Sequence, residues 1–185
     1  MDELHKDIET RPSWDAYYLT MAFIVAQRSF DPSSKCGCVI VAKDNRVLST
    51  GYNGPIKGSQ DNLIPLTRPE KYKHMIHGEE NALLAYSGSY QDIQGATAYI
   101  TGRQCHRCLR MLLNKGIKKI IYGPNVTKVV DEPDMEAQRI MLRDHKDVVV
   151  EEFDDPESLL GLLAKTSDYT QHKMGQDRNY NEESN

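Results

Sequence analysis

The sequence predicts an α/β protein built on one mixed sheet with helices packed on its faces. Three observations carry this. Apolar periodicity runs in the order helix, hairpin, then three helix–strand units, and each change of period is marked by Gly, Pro, Asn or Asp. The third observation is size: 185 residues suffice for one domain with its own core, and nothing in the composition asks for a second.

The elements follow in order. Trp14 to Phe30 places Trp14, Tyr18, Met21, Ala22, Val25 and Ala26 at helical spacing, a stripe that reads as core, with Ser13 as N-cap and Asp31-Pro32 as the stop. Lys35 to Ala42 is rich in Val and Ile, Asp44-Asn45 turns the chain, and Arg46 to Thr50 returns, so the pair forms a hairpin. Gly51, Asn53, Gly54, Pro55 and Gly58 open a loop that reaches about Met75, since Pro65 and Pro69 oppose a long regular element. Helices then cover Glu79 to Tyr86, Arg107 to Asn114 with Gly116 as its stop, Met135 to Asp144 and Pro156 to Lys165. Strands cover Ala96 to Thr101, Lys118 to Tyr122 and Val148 to Phe153. Residues 1–165 form the predicted domain, and the polar stretch 166–185 reads as a mobile tail. Cys36 and Cys38 alternate along a strand and read as small packing residues.

His77-Gly78-Glu79, followed 28 residues later by Cys105-His106-Arg107-Cys108, carries the chemistry. One imidazole and two thiolates fill three tetrahedral positions on Zn²⁺ and leave the fourth for water, which is the open coordination of a catalytic site. Glu79 lies two residues beyond a ligand and is left to move protons. Both halves fall at predicted helix starts, where unpaired N–H groups and the positive dipole end favour thiolate over thiol. The order His-x-Glu, then Cys-x-x-Cys, is the signature of zinc-dependent nucleobase deaminases. In that chemistry Glu79 takes a proton from water, passes it to a ring nitrogen and protonates the leaving amine. A Cys-x-x-Cys alone would equally suit a structural zinc or a redox pair. His74 and His106 lie near the motif and read as supporting or exposed residues.

Several segments in order resemble the deoxycytidylate (dCMP) deaminases of the cytidine deaminase superfamily, from about Trp14 to Phe153. They are Trp14-Asp15 with Arg28-Ser29, Asp31-Pro32 leading into KCGCVIVAKDNRVLSTGYNG, then HGEENALL, then CHRCLRMLLNKGIKKIIY. Gly51-Tyr52-Asn53-Gly54 discriminates best among deaminases that share the zinc motif. The resemblance implies a cytidine deaminase-like, five-stranded mixed sheet flanked by helices, and hydrolysis of dCMP to dUMP and ammonia, which supplies thymidylate synthesis. It implies zinc on His77, Cys105 and Cys108, with Glu79 catalytic, Asn53 on the substrate nucleotide and Arg28 on its 5′-phosphate. It also implies a homo-oligomer, frequently a hexamer, and in many members activation by dCTP and inhibition by dTTP, with no effector residues assigned. The chain departs from the family at Gln104, where Pro is usual, and at Gly78, where Ala is usual. The residues after Tyr122, Gly-Pro-Asn-Val-Thr-Lys, do not match its phosphate contacts, so dCTP or another cytosine nucleotide stays open as substrate.

Charge narrows the partners. There are 23 Lys and Arg against 27 Asp and Glu, which opposes wrapping of long nucleic acid, although a local basic pocket for one phosphate remains open. Three Phe and one Trp are few stacking platforms for a polynucleotide deaminase, while ten Tyr keep that class in view. A zinc module without activity is the third class. Lys57, Arg103 and Arg107 are further cationic candidates that sequence does not rank. No apolar run reaches membrane-spanning length, no signal-peptide core precedes the first helix, and reduced cysteines are expected, so the predicted location is cytoplasmic.

Overall fold

A computed structural model describes residues 11–60, 63–124 and 131–165. Helix α1 (Trp14–Ala26) leads into strands β1 (Gly37–Val41) and β2 (Val47–Tyr52). A 3₁₀ turn (Glu70–Lys73), α2 (Gly78–Ala85) and a short α3 (Tyr90–Ile93) follow. Then come β3 (Thr97–Ile100), α4 (His106–Lys115), β4 (Lys119–Tyr122), α5 (Glu132–Arg143), β5 (Val149–Glu152) and α6 over 156–165. The five strands form one sheet in the order β2-β1-β3-β4-β5. β1 pairs antiparallel with β2 and β3, while β3–β4 and β4–β5 are parallel. The expected mixed sheet is therefore present, and α4 and α5 are the crossovers that parallel neighbours require.

Strand alternation builds two cores. Cys38, Ile40, Ala98, Ile100 and Ile120 face α2 and α4 through Ala82, Leu109 and Leu112. Val39, Val41, Tyr99 and Ile121 face α1 and α6 through Leu19, Ala22 and Leu159. Every residue of β1 is buried, as expected of a strand covered on both faces, and this is why its sequence reads as a continuous apolar run. β5 lies at the sheet edge, where Glu151 and Glu152 are exposed and discourage further strand pairing.

Two glycines let helices touch the sheet. A Cβ on Gly37 would lie 2.1 Å from Ala22 O, and one on Gly51 would lie 2.2 Å from Ala82 N and 2.3 Å from Gly78 O. α1 and α2 thus pack backbone to backbone on β1 and β2, which sets the depth at which α2 begins.

The structure corrects the expected boundaries at three places. α1 ends at Ala26 rather than Phe30, because the chain turns through a buried Ser29 into Asp31, whose Oδ1 accepts from the N–H groups of Ser33 and Ser34. Trp14 is 59% exposed and not core: it stacks on Tyr18 at 5.5 Å, while Leu19 is fully buried. α5 starts at Glu132 rather than Met135, since Asp131 caps it by accepting from Asp134 N at 3.0 Å and Pro133 occupies its first turn. The 3₁₀ turn and α3 had no counterpart in the sequence reading. Gly116 stops α4 in the left-handed conformation, with φ of 98°, as its position suggests. The tail 166–185 and the segment 125–130 lie outside the described residues.

Candidate active site

The metal cluster is built at two helix starts. His77 is the N-cap of α2 and Cys105 the N-cap of α4, yet neither side chain caps its own helix, whereas Ser13 and Asp131 cap theirs. The imidazole and thiols instead face one another: His77 Nδ1 lies 3.3 Å from Cys108 Sγ and 3.6 Å from Cys105 Sγ. The three ligand atoms lie within 4.8 Å of one another. A tetrahedral zinc with ordinary bond lengths separates a nitrogen and a sulfur ligand by about 3.5 Å, so this donor set fits the ion in both spacing and chemistry. The thiols are coupled. The hydrogen bond from Cys108 holds the Cys105 thiol down at about 3, with His77 assisting against the opposing effect of burial. The same hydrogen bond, burial and the Glu79 charge keep Cys108 protonated. A divalent cation would replace the proton that the pair shares.

Glu79, second residue of α2, is 5% exposed and borders the same cavity as His77 and Cys105. Its position follows from packing: Gly51 admits α2 against β2, and Asn81 Nδ2 donates to Tyr52 O at 2.7 Å. Gly78 has its reason here too. A Cβ at Gly78 would press to 3.1 Å from Cys36 O, so the usual alanine would have to shift the loop that faces it.

Gln104 has a comparable explanation. It is 1% exposed, its Nε2 donates to Gln138 Oε1 at 3.4 Å, and its carbonyl accepts from Gln138 Nε2 at 3.0 Å. Gln138 also donates to Asp134 Oδ2 at 2.7 Å. Asp134 in turn accepts from His106 N at 3.0 and 3.1 Å and pairs with His106 Nδ1 at 2.5 Å, so α5 caps the helix that carries the cysteines. Where a proline would stiffen this loop covalently, two glutamines and an aspartate tether it.

A cavity of about 430 Å³ opens beside the cluster, at the ends of β2 and β3. Asn53 lines it and is 7% exposed. Its Oδ1 accepts from Cys36 N at 2.7 Å, and its Nδ2 donates to Ser34 O at 2.9 Å and Asp31 Oδ2 at 3.4 Å. Asp31 forms a buried ion pair with Lys71 at 2.8 Å. Burial alone would raise the Asp31 carboxyl, but Lys71 and the N–H groups of Ser33 and Ser34 hold it below the usual carboxylate range.

The structure thus brings His77, Glu79, Cys105 and Asn53 to one cavity, with Cys108 joining through the metal cluster. Arg28 is exposed at the end of α1 and does not line the cavity. The cations that do line it are Lys35, Arg68, Lys71 and Arg103, the last donating through Nη1 to Tyr122 Oη at 3.0 Å and lying 5.3 Å over that ring. Lys57 and Arg107 are exposed and lie elsewhere. Cys38 sits in the core as expected, whereas Cys36 is half-buried on the cavity wall. His74 and His106 stand outside the ligand cluster. The sequence reading missed Arg68, Lys71 and Tyr72, and took Asp31 only as a helix stop. An unbroken stretch of ordinary loop composition gives no local sign that a lysine there will be buried.

Known proteins are similar to this chain. The deoxycytidylate deaminase of Mus musculus is 32% identical over 136 residues, covering 70% of this chain and 74% of the mouse protein. That of Mycobacterium phage D29 is 34% identical over 126 residues, covering 61% of this chain and 96% of the phage protein. The crystal structure of the dCMP deaminase from cyanophage S-TIM5 in complex with dCMP and dUMP has a TM-score of 0.61 at 25% identity, covering 77% of this chain and 98% of that one. Residues 12–124 match the cytidine and deoxycytidylate deaminase zinc-binding region, and the chain belongs to that family.

Proposed function

We infer that this chain catalyses the zinc-dependent hydrolytic deamination of dCMP to dUMP and ammonia. The observation that carries the reading is a buried carboxylate, Glu79, two residues beyond the cluster's histidine and on the wall of the cavity that His77 and Cys105 border. When held by His77, Cys105 and Cys108, zinc supplies Lewis-acid activation of a water molecule near neutral pH. Glu79 takes the proton from the attacking water and delivers it to the ring nitrogen beside the reacting carbon. A C–O bond forms there, the C–N bond to the exocyclic amine breaks, and Glu79 passes a proton to the departing ammonia. Burial of Glu79 within the cavity keeps this proton traffic away from bulk solvent. Asn53 belongs to substrate recognition in this reading, and Lys35, Arg68 and Arg103 are the cavity cations available to a phosphate.

The test is a spectrophotometric assay of the zinc-loaded full chain with dCMP, dCTP, CMP and deoxycytidine. Highest kcat/KM on dCMP is expected. Preference for dCTP moves the assignment to the triphosphate, and turnover of none of the four removes the deaminase reading. Single-stranded RNA and DNA in the same assay test the polynucleotide class. The reading also includes a homo-oligomer, a hexamer by family resemblance, regulated by dCTP and dTTP; sedimentation and effector titrations test both. A reducing, cytoplasmic setting belongs to it as well: among the described residues no helix is long and apolar enough to cross a membrane, and none of the four cysteines is in a disulfide.

A further inference from the structure

We propose that Arg103 is the specificity-determining residue for the nucleotide's 5′-phosphate in this chain, in place of Arg28, and that Tyr122 is the positioning residue that holds it there. The proposal rests on the nucleotide reading above and deepens it by assigning the phosphate to one of the cavity cations.

Elimination leaves one cation. Arg28 is exposed at the end of α1 and does not line the cavity. Lys71 lines it, but its ammonium is held by both oxygens of the buried Asp31 carboxylate at 2.8 and 3.0 Å, so the pair offers little net charge to a ligand. Lys35 is exposed and turns its Nζ to Gln27 O, just past the end of α1, 3.4 Å away. Arg68 is exposed too, and its guanidinium lies 5.9 Å over the ring of Tyr72, itself 50% exposed. An exposed cation on a flexible stem loses side-chain entropy when it grips an anion and is screened by salt, which leaves such contacts weak. Arg103 is half-buried in the cavity wall and meets no carboxylate among the described residues.

Tyr122 gives that cation a fixed place. Arg103 Nη1 donates to Tyr122 Oη at 3.0 Å, and the guanidinium carbon lies 5.3 Å from the centre of the Tyr122 ring. Tyr122 is the last residue of β4, pairs with Ile100 of β3 and is buried, so packing fixes its ring. A guanidinium has five N–H donors and no acceptor. One goes to Tyr122, and Nε is buried without a partner among the described residues. Three N–H groups remain on Nη1 and Nη2, enough to grip two oxygens of one phosphate in the forked arrangement that favours arginine over lysine. Arg103 also stands two residues before Cys105, so its charge is tied to the loop that carries a member of the metal cluster. With the reacting carbon of the base at the Glu79 end, the phosphate is the anionic part of the nucleotide left to meet a donor-only group held over the end of β4.

The experiment uses the zinc-loaded full chain with dCMP as substrate and two competitors: deoxyribose 5-phosphate, which has the phosphate without the base, and deoxyuridine, which has the base without the phosphate. In Arg103→Met, KM for dCMP and the inhibition constant of deoxyribose 5-phosphate should both rise about 30-fold, the size of a lost hydrogen bond to a charged group, with kcat within about threefold and inhibition by deoxyuridine unchanged. Arg28→Met, Lys35→Met and Arg68→Met should each raise KM by less than about threefold. Tyr122→Phe should raise both constants about fivefold at wild-type zinc content, and should add nothing in the Arg103→Met background, because it acts only through Arg103. Should Arg103→Met fail to fold, Arg103→Lys keeps the charge but not the fork, and should still raise KM about tenfold. A loss that falls on deoxyuridine assigns Arg103 to the base and overturns the proposal. So does a larger loss at Arg28, Lys35 or Arg68, or a folded Arg103 variant with wild-type KM. Absence of turnover on any cytosine nucleotide sinks the functional reading itself, and is thereby distinguishable from failure of this inference.

Discussion

The two walls of the cavity are held in opposite ways. On the metal wall, four chemical groups come from two short motifs, each at the start of a helix, and each motif spans no more than four residues. On the other wall, Asp31 and Ser34, Asn53, and Lys71 come from three segments joined by side-chain hydrogen bonds that span 19 to 40 residues. The first arrangement is secured by secondary structure that would form for its own reasons. The second exists only because the chain has folded. In the proposed reading, reaction chemistry is carried by local structure and ligand selection by long-range structure.

The largest effect that tests this division is on the metal wall. Glu79→Gln should lower kcat by about 10²–10⁴-fold while zinc content and thermal stability stay near wild type, because its proposed role is proton transfer and it is not in the ligand cluster. Unchanged turnover would remove the carboxylate from the mechanism.

Next comes the support beneath that wall. Gly51→Ala should cost about 3 kcal/mol in urea unfolding, since the added carbon meets backbone at 2.2 Å. Gly78→Ala, whose nearest contact is 3.1 Å, should cost about 1 kcal/mol or less. Equal costs would mean that the close approach of α2 to β2 is not what sets its position.

A smaller effect is expected where α5 caps α4. Asp134→Ala removes the acceptor for His106 N, should destabilise by about 1 kcal/mol, and should speed transfer of zinc to a chromogenic chelator. Unaltered zinc release would show that Cys105 and Cys108 are positioned without help from α5.

The smallest expected effect separates the walls by pH. Asp31 is held below its ordinary value of 3.8, so its folded-state advantage is complete above that value and is lost as pH falls through the lower folded one. Wild type minus Asp31→Asn should give a stability difference that is flat from neutral pH to about pH 5 and shrinks below about pH 4. A difference that grows in acid would reverse the sign assigned to the Asp31–Lys71 pair.

How much of this was legible beforehand follows the same division. The zinc motif was readable because ligand spacing and helix starts are properties of a few consecutive residues. The sheet was readable because Val39, Ile40 and Val41, or Ile120 and Ile121, declare strand by composition alone. Trp14 was misplaced because helical periodicity identifies a stripe but not how far along the helix the sheet extends beneath it. Arg28 was selected by its place in a motif, and it lies exposed at the end of α1, outside the cavity. Lys71 was passed over because a lysine in a loop is ordinarily solvated, and only its partner forty residues away makes it core.

The sequence by itself determined the His77–Cys105–Cys108 cluster that could hold a metal, the carboxylate beside it and the α/β order, because each depends on groups a few residues apart whose geometry the backbone supplies locally. The tertiary structure decided which groups hold the Asn53 amide, which cations reach the cavity, and why Gly78 and Gln104 stand where alanine and proline are usual. Those depend on backbone contacts and buried charges between segments far apart in the chain, and such pairs acquire their energies only when folding removes the water between them.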